Sequence, residues 1–330
     1  MAEFVSSFIT GWSDVVKDDI CHFLSKVKII NVYDGMIHYK YDGNSRDIEK
    51  IPYFNNTFFV LQSFSNNKTD FSKMVSTVAK KKHFYLISKG SFRVRFSKEN
   101  QFCKVDKNVA RNAENIVIQN SKLSIDRLNP TTEIWYVIRR ENFSFCGQLL
   151  SKREFTEKNL NKGELRPEVA YLMCCYANIQ PEDVVLEPFA GYGSIPIQIS
   201  KHFKYGKLFV SDIDSERISD LQQKKHLKKE NIFIEECSVF DLPTKRSAIS
   251  CLIKDPPWGF FEEIADITKF YIDMFESFRK ICRENCKIVI LTARVENFIQ
   301  AAESSNVELS ERINTLINGK KASLFKCKLK

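Results

Sequence analysis

The spacing of apolar positions predicts mostly strands in the first half of the chain. There, apolar and polar residues alternate over short runs, and a period of two is typical of half-buried strands. The predicted strands cover residues 4–10, 27–33, 36–41, 92–96, 123–126, 133–138 and 143–149. Helical spacing predicts helices at 15–24, 70–81 and 108–120. Asp34-Gly35 is a typical hairpin turn, so the strands on either side of it are expected to pair and the region to be α+β.

Strands and helices alternate regularly in the second half. The predicted strands are 183–187, 207–211, 232–234, 248–253 and 287–292. The predicted helices are 168–177, 194–201, 215–229 and 267–282, and a hairpin follows near residue 330. Because parallel strands need crossover connections, this order predicts an α/β fold with a mostly parallel sheet covered by helices.

Composition narrows the class of protein. Hydrophobic residues make up 43% of the chain, no apolar run approaches the length of a membrane span, and residues 1–30 lack a secretory signal pattern. The ten cysteines are scattered without a C-x-x-C pair, which is typical of reduced thiols. We therefore expect a soluble cytoplasmic protein with neither a membrane partner nor a metal site.

The positive charge is concentrated in the first half. Residues 1–160 carry 25 Lys and Arg against 17 Asp and Glu, whereas residues 161–330 carry 25 against 24. Such an excess attracts phosphate backbones. Charge alone is equally consistent with a solvated basic surface.

A short motif, Asp255-Pro256-Pro257-Trp258, follows the predicted strand 248–253. The prolines remove two backbone donors, so neighbouring carbonyls are available to a ligand. Asp255 adds a strong acceptor and Trp258 adds a flat stacking surface. These groups suit a planar ligand that carries an NH2 group, such as a nucleobase. Taken by itself, the motif is equally consistent with a proline-rich turn that ends a strand.

A glycine-rich loop over residues 186–194 lies between a predicted strand and a helix. Its glycines permit a sharp turn and a close approach to a ligand, and the helix N-terminus favours negative charge. The loop lacks the Lys-Ser/Thr of a nucleotide-phosphate loop and the spacing of a dinucleotide fingerprint. Asp212 and Asp214, about 20 residues further on, suit a pair of ribose hydroxyls.

In this order and spacing, the motifs resemble those of S-adenosylmethionine-dependent amino-methyltransferases. More narrowly, the chain is similar to the THUMP-domain RNA methyltransferases that form N2-methylguanosine in tRNA. The strongest resemblance lies in residues 165–170, 186–194 and 255–259. Weaker resemblance lies in residues 8–16, 92–96, 123–126, 129–130 and 316–322.

The resemblance implies a domain order as well as a fold. It implies a Rossmann-like class I methyltransferase domain at 165–330, with a C-terminal hairpin. This domain would follow a ferredoxin-like segment at 1–55, a THUMP-like RNA-binding domain at 56–150 and a linker at 151–164. The expected cofactor is S-adenosylmethionine and the expected partner is tRNA.

The resemblance also implies roles for individual residues. Asp255 and the Pro256 carbonyl would orient the target NH2, within a catalytic motif completed by Pro257 and Trp258, whose ring would stack on the base. The expected cofactor-binding residues are Glu187, Phe189, Gly191, Gly193, Asp212, Asp214, Ser238 and Asp241. Two of them depart from the family pattern, since Glu187 replaces a common Asp and Ser238 replaces an acid that contacts adenine. Asp241 lies near enough in sequence to substitute for that acid.

Three arginines are candidates for RNA binding, Arg93, Arg95 and Arg166. Alternation places Arg93 and Arg95 on one face of a strand, and this pattern alone favours a solvated face over an RNA contact. Arg166 precedes the catalytic half, where it would line the cleft or form a salt bridge in the linker.

Two other functions are compatible with these residues. The Asp-Pro-Pro-aromatic motif also serves adenine-N6 methyltransferases acting on RNA or DNA. A non-catalytic RNA-binding protein with a methyltransferase-like fold is the second alternative, and Ser238 favours it. The sequence leaves open the modified nucleotide position, the number of methyl groups, the oligomeric state and the involvement of a small accessory protein.

Overall fold

The computed structural model describes residues 1–65, 69–153, 160–242, 248–258, 264–317 and 319–330. Parts of three predicted features therefore lie outside the described residues. These parts are residues 154–159 of the linker, Gly259 after the catalytic motif, and Asn318 in the C-terminal hairpin.

The chain forms two compact units. The first unit comprises residues 1–8 and 17–154, and the second comprises residues 9–16 and 155–330. The change near residue 154 falls inside the predicted linker. Residues 9–16 group with the second unit, although they are part of the predicted N-terminal segment. The predicted boundaries at 55/56, 150/151 and 164/165 stay predictions.

Within the described residues, the strands of the first unit form one sheet. Its strands are β1 (Ala2–Ser7), β2 (Lys28–Tyr33), β3 (Met36–Tyr41), β4 (Asn56–Phe64), β5 (Ser91–Lys98), β6 (Gln101–Phe102), β7 (Ser124–Ile125), β8 (Thr132–Ile138) and β9 (Ser144–Lys152). Their order is β2-β3-β1-β4-β9-β8-β5-β6, with β7 paired to β5. The predicted hairpin across Asp34-Gly35 is present as β2 and β3. Strand β4, which has no counterpart among the predicted strands, joins the N-terminal strands to the rest.

The helices of the first unit begin at side-chain caps. They are α2 (Ser45–Glu49), α3 (Phe71–Val78) and α4 (Lys107–Asn120), and α1 (Ser13–Phe23) begins in the second unit. The Asp70 carboxylate accepts a hydrogen bond from Lys73 N at 2.8 Å and thereby caps the N-terminus of α3. The apolar faces of α3 and α4 pack with residues of the sheet into one buried core.

The second unit contains the predicted mostly parallel sheet. Its strands are β10 (Val184–Glu187), β11 (Lys207–Asp212), β12 (Ile232–Glu236), β13 (Ile249–Lys254), β14 (Cys282–Thr292), β15 (Val307–Ile317) and β16 (Lys320–Leu329). Their order is β12-β11-β10-β13-β14-β16-β15. The first five strands are parallel, and β16 runs antiparallel to β14 and β15. The prediction of a mainly parallel sheet with a terminal hairpin is confirmed.

Five helices are described in the second unit. They are α5 (Pro167–Ala177), α6 (Ser194–His202), α7 (Ser215–Gln223), α8 (Ile267–Ile281) and α9 (Val295–Ser304). Of these, α6, α7 and α8 connect neighbouring parallel strands. The predicted helix 215–229 ends earlier, at Gln223, and a short 3₁₀ turn at Lys225–Leu227 follows it. Helix α9 was not predicted. Strand β13 is buried along its whole length, as expected for a central parallel strand.

Residues 9–16 are held by strand β15. The Trp12 side chain is fully buried, and its Nε1 donates a hydrogen bond to Thr315 Oγ1 at 3.2 Å. Thr315 Oγ1 in turn donates to the Thr10 carbonyl at 2.8 Å. Gly11 has φ +91°, and a Cβ at this position would lie 2.1 Å from the Asn314 carbonyl oxygen. Only glycine fits so close to the hairpin. The predicted strand 4–10 ends earlier, at Ser7.

Candidate active site

The predicted motifs meet at one edge of the second sheet. Glu187 ends β10, Asp212 ends β11, and Asp255 directly follows β13. These three strands are parallel neighbours with β10 in the middle, so their carboxyl ends lie side by side. The edge beyond the carboxyl ends of parallel strands is the usual ligand site of such sheets.

A cavity of about 290 Å³ occupies this edge. The predicted residues that line it are Gly191, Asp212, Asp214, Asp255, Pro256, Pro257 and Trp258. A smaller cavity of about 50 Å³ shares Gly191 and Asp255 with the first and adds Glu187 and Phe189. The fold therefore brings the glycine loop, the acids after β11 and the Asp-Pro-Pro-Trp motif together around one space.

The two loop glycines have different tasks. Gly191 has φ +48°, and a Cβ built on it would meet no atom within 4 Å, so its backbone faces open space. Gly193 has φ +83°, and a Cβ there would lie 2.4 Å from Leu221 Cδ2. Gly193 thus permits close packing at the start of α6, whereas Gly191 lines both cavities.

The acids after β11 organise the loops around the cavity. Asp212 Oδ2 accepts a hydrogen bond from Gly191 N at 2.7 Å, and its Oδ1 accepts one from Asp214 N at 3.0 Å. Asp214 Oδ1 caps α7 by accepting from Glu216 N at 2.9 Å and Arg217 N at 3.2 Å. A carboxylate has further lone pairs, so Asp212 can fix the glycine loop and still accept a hydroxyl donor.

Two buried acids beside the cavities, Glu187 and Asp255, receive few hydrogen bonds from the protein. Oε1 of Glu187 accepts from Phe189 N at 3.0 Å. Oε2 of Glu187 and Oδ1 of Asp255 are buried and receive no well-formed hydrogen bond from the described residues. Burial holds the pKa of Glu187 well above its usual range. Burial likewise raises the pKa of Asp255 to about 8, although the adjacent Trp258 side chain and Lys254 lower it.

The Asp-Pro-Pro-Trp motif is held by a residue that follows the neighbouring strand β14. Arg294, between β14 and α9, donates from Nε to the Trp258 carbonyl at 2.7 Å. Its own backbone N donates to Thr292 Oγ1 at 2.9 Å, which fixes the turn that follows β14. Sequence reasoning did not identify Arg294, because nothing near it in the chain signals a contact with residue 258.

Several other residues of the cavity wall were also missed. Tyr192 lies within the predicted glycine loop, and the Arg217 guanidinium carbon stacks 3.8 Å from the centre of its ring. Leu165 belongs to a stretch that carries the family resemblance, as do Ile317 and Lys320 of the hairpin, but the sequence predicts no role for these three residues. The remaining wall residues are Lys162, Gly163, Glu164 and Ile213.

Three predicted cofactor residues lie outside this lining, Gly193, which packs at the start of α6, and Ser238 and Asp241. Ser238 and Asp241 follow β12 and line neither cavity. Ser238 Oγ accepts a hydrogen bond from Phe240 N at 3.2 Å, and Asp241 is exposed. Their assignment to the cofactor stays a prediction.

The predicted RNA-binding arginines are engaged by acids. Arg93 and Arg95 lie on one face of β5, and both contact Glu133 of β8, at 2.5 Å and 2.8 Å. Arg95 also stacks 4.5 Å from the centre of the Phe102 ring. Arg166, just before α5, donates from Nε to Glu168 Oε1 at 2.7 Å. Contacts of these arginines with RNA stay a prediction.

The residues present fit S-adenosylmethionine. Its sulfonium and ammonium groups are cations, and buried carboxylates with spare acceptor capacity favour them. Asp212 suits the ribose hydroxyls, and the open backbone at Gly191 permits close approach. In the part of the chain that the structure describes, no group of three His, Cys, Asp or Glu side chains could hold a metal ion. No helix among the described residues is long and apolar enough to cross a membrane.

Known proteins share this domain and fold. Residues 153–322 match the family model described as RMKL-like, methyltransferase domain. A curated relative, the U6 snRNA (guanine-N(2))-methyltransferase THUMPD2 of Bos taurus, is 24% identical over 45% of this chain and 30% of its own length. The tRNA (guanine(6)-N2)-methyltransferase of Methanocaldococcus jannaschii is 21% identical over 53% of this chain and 56% of its own. The chain therefore spans only part of the curated relatives that it matches.

A solved structure extends the similarity of fold to the complete sequence. TrmN from Thermus thermophilus superposes with a TM-score of 0.81 over 100% of both chains, at 16% identity. The predicted class I methyltransferase fold is confirmed. The family match confirms the predicted methyltransferase domain. The chain belongs to the RMKL-like methyltransferase domain family.

Proposed function

We propose that this methyltransferase modifies the exocyclic N2 amine of a guanosine in tRNA, with S-adenosylmethionine as methyl donor. One observation carries the proposal: Asp255, Pro256, Pro257 and Trp258 line the same cavity as Gly191 and Asp212. A planar amine held by the motif would therefore lie beside a cofactor held by the loop. The names of both curated relatives, which describe guanine-N2 methyltransferases, support guanosine as the target.

The motif would orient the amine by accepting its hydrogens. The Asp255 carboxylate and the Pro256 carbonyl are acceptors, and neither proline offers an N–H that would compete for them. S-adenosylmethionine supplies an electrophilic methyl group on a positively charged sulfur. Catalysis then depends on alignment of the amine with that group, so positioning and electrostatics provide most of the rate enhancement. None of the ten cysteines is needed as a nucleophile.

The RNA would be held largely by its backbone. The excess of Lys and Arg lies in residues 1–160, and phosphates attract such an excess. A guanosine paired in a stem would have to leave the stack to reach a cavity of this kind. The cytoplasm as location, and tRNA in preference to another RNA, belong to this proposal.

The decisive experiment is mass spectrometry of tRNA nucleosides from a strain that lacks this protein and from its parent. We expect N2-methylguanosine to be lost and to return with the wild-type gene but not with Asp255→Ala. Loss of N6-methyladenosine with unchanged N2-methylguanosine would replace the proposal with an adenine-N6 methyltransferase. Unchanged nucleosides, with tRNA still bound by the purified protein, would favour a non-catalytic RNA-binding protein.

A further inference from the structure

The Asp-Pro-Pro-Trp motif has little capacity to fix its own backbone. Among the described residues, 255–258 belong to no helix or strand. Pro256 and Pro257 have no N–H with which to donate a hydrogen bond. Their rings fix φ at two of the four positions, so the direction of the segment depends chiefly on where its two ends are held. The position of the motif is therefore set by other parts of the chain.

Both ends of the motif are held from the side of β14. Lys254, directly before the motif, pairs in parallel with Ile290 of β14. Arg294, two residues after the end of β14, donates from Nε to the Trp258 carbonyl at 2.7 Å. Hydrogen bonds from an ionised donor at such a distance are among the stronger ones in proteins. The last residue of the motif is thus anchored by a side chain, whereas the first is anchored by the sheet.

Arg294 is fixed in turn by two buried hydroxyl groups. Its backbone N donates to Thr292 Oγ1 at 2.9 Å, and this oxygen lies 2.9 Å from the Tyr271 hydroxyl of α8. The exposed fraction of both Thr292 and Tyr271 is 0%. A hydrogen-bonded network shielded from water makes its surroundings rigid. The backbone from which the Arg294 side chain extends is therefore held in place by α8 and β14 together.

The contact with Arg294 bears on the groups that would hold the amine. Asp255, Pro256 and Trp258 line the cavity, whereas Arg294 is absent from its lining. Arg294 therefore acts on the cavity only through the motif. A misplacement of about 1 Å can lower the rate of a reaction about a hundredfold, because the reacting groups must be closely aligned. A contact that fixes the motif is for this reason important to transfer even though it lies outside the cavity.

We propose that Arg294 is a positioning residue for methyl transfer: its Nε–H fixes the Trp258 carbonyl and thereby holds the motif in the geometry that transfer requires. This proposal rests on the proposed function, because it takes the motif as the site that binds the target amine. It deepens that function by giving a role to a side chain outside the cavity. What it requires of residue 294 is an N–H donor on Cδ, and it does not require the positive charge.

Two replacements of Arg294 separate the donor from the rest of the side chain. Glutamine carries an N–H group bonded to Cδ, at the same distance from the backbone as the Nε of arginine. Methionine has a methyl group at that place and no donor. Arg294→Gln should keep the hydrogen bond to Trp258, and Arg294→Met should lose it. Because both variants remove the charge, a difference between them reports the donor alone.

Arg279→Met is the matched control. Arg279 is half-buried, as Arg294 is, and its guanidinium also donates to a backbone carbonyl, that of Ser305. It lies near the end of α8, where the Ile281 carbonyl accepts from Ala248 N at 3.0 Å, beside the start of β13 and thus at the opposite end of that strand from the motif. Arg279→Met should lower thermal stability without changing the motif.

The first measurement is fluorine NMR of protein labelled with 5-fluorotryptophan. The chain has three tryptophans, so three resonances are expected, and Trp258→Phe identifies the one from Trp258. In Arg294→Gln and Arg279→Met this resonance should keep its wild-type position and width. In Arg294→Met it should shift or broaden, because the carbonyl of the same residue has lost its anchor. The resonances of Trp12 and Trp135 should stay unchanged in all three variants.

The second measurement is the kinetics of methyl transfer to tRNA. We expect Arg294→Met to lower kcat about thirtyfold, because the amine is no longer held in line. KM for S-adenosylmethionine should change by less than about threefold, a division between kcat and KM that indicates a loss specific to the transition state. The cofactor loop has its own anchor, the hydrogen bond from Gly191 N to Asp212. Arg294→Gln and Arg279→Met should keep kcat within about threefold of wild type.

Three results would overturn the proposal. The first is a wild-type resonance and kcat in Arg294→Met. The second is an equal change in Arg294→Gln and Arg294→Met, which would assign the effect to the charge. The third is a change in only one of the two readouts. If the wild-type protein transfers no methyl group to tRNA, the proposed function fails, whereas the NMR comparison still decides whether Arg294 holds Trp258.

Discussion

Glu133, a buried acid of the first unit, is satisfied by its neighbours, whereas Glu187 and Asp255 beside the cavity of the second unit are left partly unsatisfied. Glu133 of β8 binds Arg93 and Arg95 and accepts the Trp135 indole hydrogen at 2.7 Å. Burial alone would raise the pKa of Glu133, but these partners lower it below its usual range. Glu187 receives one backbone hydrogen bond, and its pKa is raised. The direction of the pKa shift therefore distinguishes a buried acid that stabilises the fold from a buried acid that is available to bind a ligand.

The largest effect should follow from removal of Asp255. We expect Asp255→Ala to lower the rate of methyl transfer to tRNA by about a thousandfold, because it removes the side-chain acceptor that orients the amine. Binding of tRNA, measured by filter retention, should stay nearly unchanged. Asp220→Ala, an exposed acid on α7, is the control and should retain full activity. An equal loss of transfer and tRNA affinity would mean that Asp255 holds RNA.

Replacing each buried glutamate with glutamine should change the free energy of unfolding differently in the two units. Glu133→Gln should destabilise the protein by about 1–3 kcal/mol, since it leaves two arginines without their common carboxylate. Glu187→Gln should leave the free energy of unfolding unchanged or raise it, since the protein already disfavours the charge there. Urea denaturation followed by circular dichroism measures both. A larger loss from Glu187→Gln would show that its carboxylate stabilises the fold.

A further effect is a dependence of stability on pH. The pKa of Asp255 is raised from its ordinary value to about 8 in the folded protein, so the folded state binds more protons than the unfolded state. This contribution to stability is therefore complete at low pH and is lost as pH rises from about 4 to about 8. Relative to wild type, Asp255→Asn should gain thermal stability across that interval and no more above it. If the difference in thermal stability between Asp255→Asn and wild type did not change with pH, the pKa of Asp255 would not be raised in the folded protein.

Features encoded next to each other in the chain could be predicted. The order of strand, glycine loop and helix around Gly191 is local, and so is the proline motif that ends β13. Their meeting around one cavity follows from parallel topology, which β-α-β alternation specifies. The predictions are therefore most accurate for features that depend on residues close to one another in the sequence.

Features that depend on distant pairing could not be predicted. The alternation in β5 placed Arg93 and Arg95 on one face, but only the pairing of β5 with β8 sets them beside Glu133. Ile317 and Lys320 reach the cavity because their hairpin pairs with β14, which periodicity does not reveal. Lys254 lies directly after the predicted strand 248–253, and its contact with the Phe278 ring depends on the packing of α8 against the sheet.

The contact between Trp12 and β15 has a consequence for how the protein is made. Trp12 and Thr315 are 303 positions apart, and residues 17–154 fold into a different unit between the two parts of the second. Closing so long a loop costs entropy, although the cost grows only slowly with length. A nascent chain therefore cannot complete the methyltransferase unit until β15 has left the ribosome. A fragment that starts at residue 155 would lack the buried tryptophan and expose the surface that receives it.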